Sequence, residues 1–447
     1  MSIPNVSPEH AGHLLKDWKE ELKISSAEIA EESGLSEPTV RELLAGDRVG
    51  TFAELAQLAV VLNRGLRDML PYENDLVDGV KLLRHDDARM FQQDRGSGLQ
   101  YTYWARATSS AIPDFVPVEL VLHISDPDQV VPNLGHFFHQ YTEILDGGPV
   151  TVFWKDTDGE THSYTGAEGD TWLIPGFTPH WFTSPDPDNL GKIIACTIGQ
   201  HLTGDTRQEI ILCGADRVAG CFNKGLQAGF LNSLRQNRRL SLAAAATLAG
   251  IESEQLTALE AGEAEVAADE VGRLARAYKV SERDLMPQHD DLENELTILP
   301  MAEAHHEAFD YGVRYQRVAT SRLPNIVASE LRLNGQADPD FDAFPGHTYL
   351  QVLRGPDVIV EWTGEGGVHS EAAGPGDTFL ISAFTPYRVR PSETGSQGRV
   401  LELSMAQHLL NGDALREAAL VGFDNLERLV KPISYYAQRA PESVEVE

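Results

Sequence analysis

Hydrophobic positions along the chain follow two different periods, and the change from one to the other happens twice. From Leu22 the run LKISSAEIAEESGLSEPTVRELLAG carries apolar residues three and four apart, with Gly34 at a break and Ser36 then Pro38 opening the next stretch. From Leu240 the run LSLAAAATLAGIESEQLTALEAG does the same around Gly250. This spacing predicts short amphipathic helices in a helix-turn-helix arrangement. After the first run the pattern becomes period two, in VELVLHI, VTVFWKD, THSYTG, DTWLIPG and KIIACTIG, separated by turn formers such as DTDG and the glycines from Gly147. Those runs predict short strands, enough of them to build a jelly-roll barrel. Similar strands are expected after Asp291, and helical sequence beyond Ala406.

The second change of period is a repetition. GDTWLIPGFTPHWF from Gly169 returns as GDTFLISAFTPYRV from Gly376, and ARATSSAIPDFVPVEL from Ala105 returns as QRVATSRLPNIVASEL from Gln316. LRDMLP ending at Pro71 returns as ERDLMP ending at Pro287. Three matched blocks in one order, about 210 residues apart, indicate tandem duplication. The expected fold class is mixed α+β, a tandem repeat of a helix-turn-helix-like helical segment plus a jelly-roll β-barrel. The expected division is helical over 1–80, barrel over 81–212, helical over 213–290, and a second barrel with C-terminal helices over 291–447.

Composition narrows the function classes. At 447 residues, with 42% hydrophobic and 23% charged, the chain is globular and exceeds one hydrophobic core. A net charge of −32 repels phosphate backbones, and the second helix of the first run sets Glu37 and Glu42 against Arg41 alone. A structural or interface role is therefore expected of the helix-turn-helix segments, and no nucleic-acid partner. The acidic surface suits a salt-tolerant source or a solvated surface of no special meaning. No apolar h-region opens the chain and no stretch reaches the roughly 18 apolar residues of a membrane span, so a cytoplasmic protein is expected. Cys196, Cys213 and Cys221 lack metal-type pairing and read as reduced thiols.

Two blocks of the first repeat carry chemistry: NLGHFFHQYTEILDG from Asn133, and GDTWLIPGFTPH ending at His180. They resemble the two cupin motifs, in which a His and an oxygen ligand four residues on share a strand face with a second His from the later block. Placing the oxygen ligand five residues before Leu145, as the cupin pattern does, selects Gln140 and His136 as partners of His180. The other register, His139 with Glu143, would give the two-His-one-carboxylate set of non-haem iron enzymes but displaces Leu145 and Asn133 from their motif positions. The second repeat offers Phe344, Thr348 and Tyr387 at the ligand positions, a degenerate site, and its His347 aligns with His139.

The whole chain resembles the phosphonate-processing oxygenases that combine helix-turn-helix and cupin segments, the methylphosphonate synthase and hydroxyethylphosphonate dioxygenase family. The resemblance implies Fe(II) as cofactor and a small phosphonate and O2 as substrates, while a homo-oligomer is expected because duplicated barrels often associate through their helical parts. The resemblance also implies substrate contact by Arg95, Tyr103, Asn133 and Lys23, with Lys23 and Tyr103 as catalytic candidates. Taken singly, Arg95 or Lys23 reads as a solvated charge and Tyr103 as a core aromatic. Together they are the donors that a phosphonate dianion requires.

Within that family the dioxygenases place a Glu six residues before the second His, where this chain has Ile174. The synthases are similar to this chain in having an apolar residue there and a Gln after the first His. Oxidative C–C cleavage of 2-hydroxyethylphosphonate to methylphosphonate and bicarbonate or CO2 is thus the expected reaction. Its alternatives are hydroxymethylphosphonate plus formate, or a helix-turn-helix/cupin regulator. A small polar contact that some relatives carry is Ala195 here, with Thr197 or Asn133 as possible substitutes.

Overall fold

The first helical run folds as α1 (Pro8–Leu22), α2 (Ser26–Ser33), α3 (Glu37–Ala45) and α4 (Phe52–Val61) in a computed structural model. The structure describes residues 8–66, 75–94, 98–110, 112, 114–199, 204–221, 223–285, 296–317, 326–355, 358–393 and 395–405. Arg95, most of the LRDMLP block, the tail of ERDLMP and the expected C-terminal helices beyond Ala406 lie outside them.

Helix starts in this run are chemically marked. Ser25 and Thr51 form capping boxes with Glu28 and Glu54, and Ser36 accepts from the Thr39 amide, so side-chain oxygens satisfy first-turn amides that have no helical partner. The apolar faces meet in a core of Leu15, Ile29, Val40, Leu43, Leu55 and Leu58. The second helical run comprises α5 (Gly204–Cys213), α6 (Ala215–Gly220), α7 (Leu226–Asn237), α8 (Leu242–Ala249), α9 (Ser253–Ala261), α10 (Ala268–Tyr278) and α11 (Glu282–Leu285). It buries Leu231, Leu256, Leu274 and Tyr278. Two cations on the first run are already engaged: Arg41 pairs with Glu37, and Arg48 with Glu42 and Glu54.

The period-two runs form β1 (Val80–Leu83), β2 (Met90–Asp94), β3 (Leu99–Ala105), β4 (Phe115–Leu122) and β5 (His139–Asp146). They continue as β6 (Val150–Lys155), β7 (Thr161–Gly166), β8 (Thr171–Ile174), β9 (His180–Thr183) and β10 (Lys192–Ile198). In the second repeat they are β11 (Thr297–Leu299), β12 (His306–Phe309), β13 (Gly312–Arg317), β14 (Ile326–Leu333) and β15 (His347–Arg354). The last five are β16 (Val358–Gly364), β17 (Gly367–Ala373), β18 (Thr378–Ile381), β19 (Tyr387–Pro391) and β20 (Gly398–Met405).

Each repeat builds a seven-stranded sheet and a three-stranded sheet, ordered β11-β8-β5-β10-β4-β3-β2 with β7-β6-β9, and β1-β18-β15-β20-β14-β13-β12 with β17-β16-β19. Among the described residues the large and small sheets share no hydrogen-bonded edge. Each unit is therefore a two-sheet jelly roll and not the closed barrel expected from the strand count. Ile144, Trp172 and Ile193 from the large sheet pack on Val150, Val152 and Phe182 from the small one.

Two edge strands are exchanged. β1, first in the chain, pairs with β18 of the second unit, and β11 pairs with β8 of the first. The outer faces of the large sheets then meet in a common core of Phe115, Tyr141, Leu173 and Ile194 with Ile326, Tyr349, Leu380 and Leu403. Buried ion pairs lie in the same interface. Arg106 bonds Glu119, which also accepts from Gln351 of the other unit at 2.8 Å, and Arg317 bonds Glu330.

Candidate metal centre

Strand parity settles which residues of β5 can share a site. Tyr141, Leu145 and the neighbouring Leu173 and Ile194 face the core between the units. Gln140 and Thr142 are on the opposite face with Ile144, inside the first jelly roll. Glu143 has the outward parity: it is fully buried, accepts from the Tyr141 hydroxyl at 2.6 Å, and faces Arg317 of the second unit. Burial pushes its carboxyl up, partly offset by Arg317. His139 shares that parity, and its Nδ1 accepts from the Gly176 amide at 3.2 Å. The fold thus gives His139 and Glu143 structural partners on the outer face, away from His180.

His136, Gln140 and His180 come together inside. His136 lies in the loop before β5, where Gly135 has φ 80° and a Cβ would strike the Phe177 backbone at 2.4 Å. A residue without a side chain is required for that approach. The Phe177 amide donates to the His136 carbonyl at 2.7 Å and clamps the loop onto the turn ahead of β9. His180 opens β9 opposite Trp154 of β6, so the small sheet supplies one imidazole, and β5 of the large sheet with the loop before it supplies the rest. The two rings are 5.1 Å apart between centroids and nearly perpendicular, at 89°.

Both imidazoles are oriented the same way. His136 Nδ1 lies 2.8 Å from the Phe138 carbonyl and His180 Nδ1 2.9 Å from the Thr178 carbonyl. A carbonyl only accepts, so each Nδ1 carries a proton, and in the neutral ring this leaves the Nε2 lone pair for a metal. His136 Nε2 lies 3.0 Å from Gln140 Oε1, which brings the imidazole and the amide oxygen side by side. The Gln140 nitrogen donates to Thr142 Oγ1 at 3.0 Å. Burial lowers the His180 pKa to about 4, against the Thr178 carbonyl, which raises it, and with His136 lowering it further. A neutral imidazole is the form a metal binds. Two imidazoles and an amide oxygen grouped inside one jelly roll fit a divalent transition metal with coordination positions left for other ligands.

Around this centre the other expected residues are differently placed. Asn133 Oδ1 accepts from the His180 and Gly135 amides at 3.0 and 2.9 Å, tying the two motif blocks together. Tyr103 on β3 stacks on Phe91 and donates its hydroxyl to Gln93 at 2.8 Å. Ala195 faces Thr142 across the sheet, and Thr197, the cross-strand partner of Gln140, donates to the Val116 carbonyl. Lys23 follows α1 in a left-handed conformation with an exposed side chain, and no hydrogen bond or ion pair among the described residues joins it to the jelly roll. Alternation in the sequence already sets Thr142 on the face of Gln140, without giving it a role, and Gln93 carries no signal there.

Comparison with known proteins fits this geometry. A family model described as a helix-turn-helix domain matches residues 228–287. The structure of 2-hydroxyethylphosphonate dioxygenase from Streptomyces albus, with 2-hydroxyethylphosphonate and Fe(II) bound, superposes with a TM-score of 0.85 at 23% identity, covering 96% of this chain and 99% of that one. That likeness establishes the fold. Methylphosphonate synthase of Nitrosopumilus maritimus (strain SCM1) is 26% identical over 430 residues, 92% of each chain. Over nearly its whole length the chain is similar to these phosphonate-acting enzymes. (S)-2-hydroxypropylphosphonic acid epoxidase of Streptomyces wedmorensis is 26% identical over 197 residues, 44% of this chain and 98% of its own length.

In this chain the second unit is plugged. Phe344 and Tyr387 occupy the imidazole positions with ring centroids 5.8 Å apart. Arg314 stands where the first unit has Tyr103, and Glu402 where it has Ala195. Glu402 accepts from Arg314, Tyr387 and Ser329, so an internal cation and its carboxylate fill the space that donors converge on in the first unit. His347 Nδ1 accepts from the Ala383 amide at 3.2 Å, as His139 does from Gly176. Among the described residues one further cluster, Asp156, Glu160 and His162 at the β6–β7 turn, brings metal-type atoms together, but it is surface-lying and remote in kind from the buried centre.

Proposed function

We propose that this protein is a non-haem iron(II) oxygenase that splits the C–C bond of 2-hydroxyethylphosphonate with O2, giving methylphosphonate and CO2 or bicarbonate. The reaction balances without an outside reductant: substrate plus O2 equals methylphosphonate plus CO2 plus water. The observation that carries the reading is the uncharged set of His136 Nε2, Gln140 Oε1 and His180 converging beside Ile174, the Cα partner of Gln140 on β8. A full-length relative named methylphosphonate synthase supports it.

In this reading His136, Gln140 and His180 hold Fe(II), and the bound metal supplies the centre at which O2 is reduced. Three neutral donors leave a net charge of two at the metal, which favours a dianionic substrate. Arg95, Asn133, Tyr103 and Lys23 are proposed to bind the phosphonate. Asn133 has its oxygen engaged by the His180 amide, leaving the amide nitrogen to donate. Tyr103 and Lys23 are proposed to hold protons near the reacting oxygens. A homo-oligomer and a cytoplasmic location belong to the same proposal; among the described residues no helix is long and apolar enough to cross a membrane.

The test is anaerobic loading with Fe(II), addition of 2-hydroxyethylphosphonate, admission of air and phosphorus NMR of the products. Methylphosphonate is expected. Hydroxymethylphosphonate would overturn the product assignment, and untouched substrate with a salt-dependent DNA shift would replace the enzyme by a regulator.

A further inference from the structure

Thr142 stands alone as a hydroxyl in an apolar layer. Its cross-strand neighbours are Trp172 on β8 and Ala195 on β10, both buried, and Thr142 itself is fully buried. Among the described residues the one hydrogen bond of its side chain is the 3.0 Å contact from the Gln140 nitrogen. By packing alone a Val would serve here, so the hydroxyl answers to Gln140.

The second unit is an internal control. Cross-strand pairing places Thr348 at the position of Gln140 and Leu350 at the position of Thr142. Where the amide is gone the hydroxyl is gone with it, and buried Leu350 fills the layer.

An amide ligand has a difficulty that a carboxylate lacks. Its two ends are nearly the same shape, but only the oxygen offers a lone pair to a metal, and the nitrogen carries two protons that need acceptors. With Oε1 turned to the site, the nitrogen points into a buried, apolar region, where an unpaired N–H is costly. We infer that Thr142 is a positioning residue for Gln140, its hydroxyl accepting from the amide nitrogen and so keeping the amide oxygen on the metal. The inference rests on the metal reading proposed above. Without an acceptor at 142, the amide satisfies its nitrogen only by leaving the orientation in which its oxygen faces the metal.

The experiment is anaerobic titration of the full chain with Co(II), by calorimetry and visible absorption, with no substrate or turnover involved. Thr142→Val keeps the β-branched shape and is expected to weaken Co(II) binding about ten-fold, the equivalent of one hydrogen bond at a buried site. Thr142→Ser keeps the hydroxyl and should bind as the wild type does. In a Gln140→Glu background, where either oxygen can ligate, Thr142→Val should change affinity much less. Melting of the metal-free proteins shows whether each variant is folded. Wild-type affinity in Thr142→Val, or an equal loss in both backgrounds, would overturn the role of Thr142. Wild-type protein that binds no Co(II), or binds it equally after Gln140→Ala, would instead overturn the metal reading.

Discussion

A neutral amide in the proposed ligand set is the residue-scale feature with most chemical consequence. Gln140→Ala removes a proposed ligand outright, and Fe(II) affinity should fall by more than the roughly 10–100-fold seen when an outer partner is lost. Equilibrium dialysis measures it, and undiminished loading would exclude Gln140 from the centre. Ile174 is buried and directly paired with Gln140, so Ile174→Glu sets a carboxylate beside the donors. Without metal that unpaired charge should destabilise the protein by several kcal/mol (about 2–5), and Co(II) should restore the melting temperature. A variant that melts alike with and without Co(II) would show that position 174 does not reach the metal.

At the scale of elements, the sequence made the helices and strands legible because caps and alternation are local. Glu54 illustrates how much one capping residue does: its carboxylate accepts from Thr51 N at 2.7 Å and takes Arg48 through both oxygens at 3.0 and 2.8 Å. The Arg48 guanidinium holds its pKa down to about 2, against partial burial, which raises it. A carboxyl depressed in the folded state adds stability that is complete above its ordinary value near 4.5 and fades as pH falls toward 2. Glu54→Gln should therefore cost about 1 kcal/mol at pH 7 and much less at pH 3, read from melting at both pH values. An equal cost at both would mean the charge is not what acts. Parity also carries the site: with β5 in place, Gln140 and Thr142 must face inward and Glu143 outward, a choice the motif spacing left between two registers.

Across the whole molecule, the two units are bound together by exchanged strands and by a shared core that includes buried charge. Arg106 is paired with Glu119, which the second unit's Gln351 also contacts. Arg106→Met leaves that carboxylate to Gln351 and to Lys192 at 3.8 Å and should destabilise the chain by up to about 3–5 kcal/mol, whereas adding Glu119→Gln should recover most of the loss. Urea unfolding measures both, and because β1 and β11 are each built into the other unit, the two jelly rolls should unfold in one transition. Two separate transitions would contradict that coupling.

Local chemistry in the sequence determined the duplication, the helix caps, the strand alternation and the two motif blocks that carry His136, Gln140 and His180. These are properties of neighbouring residues, and period and spacing report them without knowledge of long-range contacts. Only the tertiary structure decided that β1 and β11 cross to the opposite unit, since nothing local marks an edge strand's partner. Only it showed that Glu143 faces Arg317, and that Arg314 and Glu402, whose sequence separation hides their pairing, plug the second unit. It likewise set Thr142 behind Gln140 and fixed each imidazole by a carbonyl two residues from it, because the direction of a side chain is decided by the packing around it.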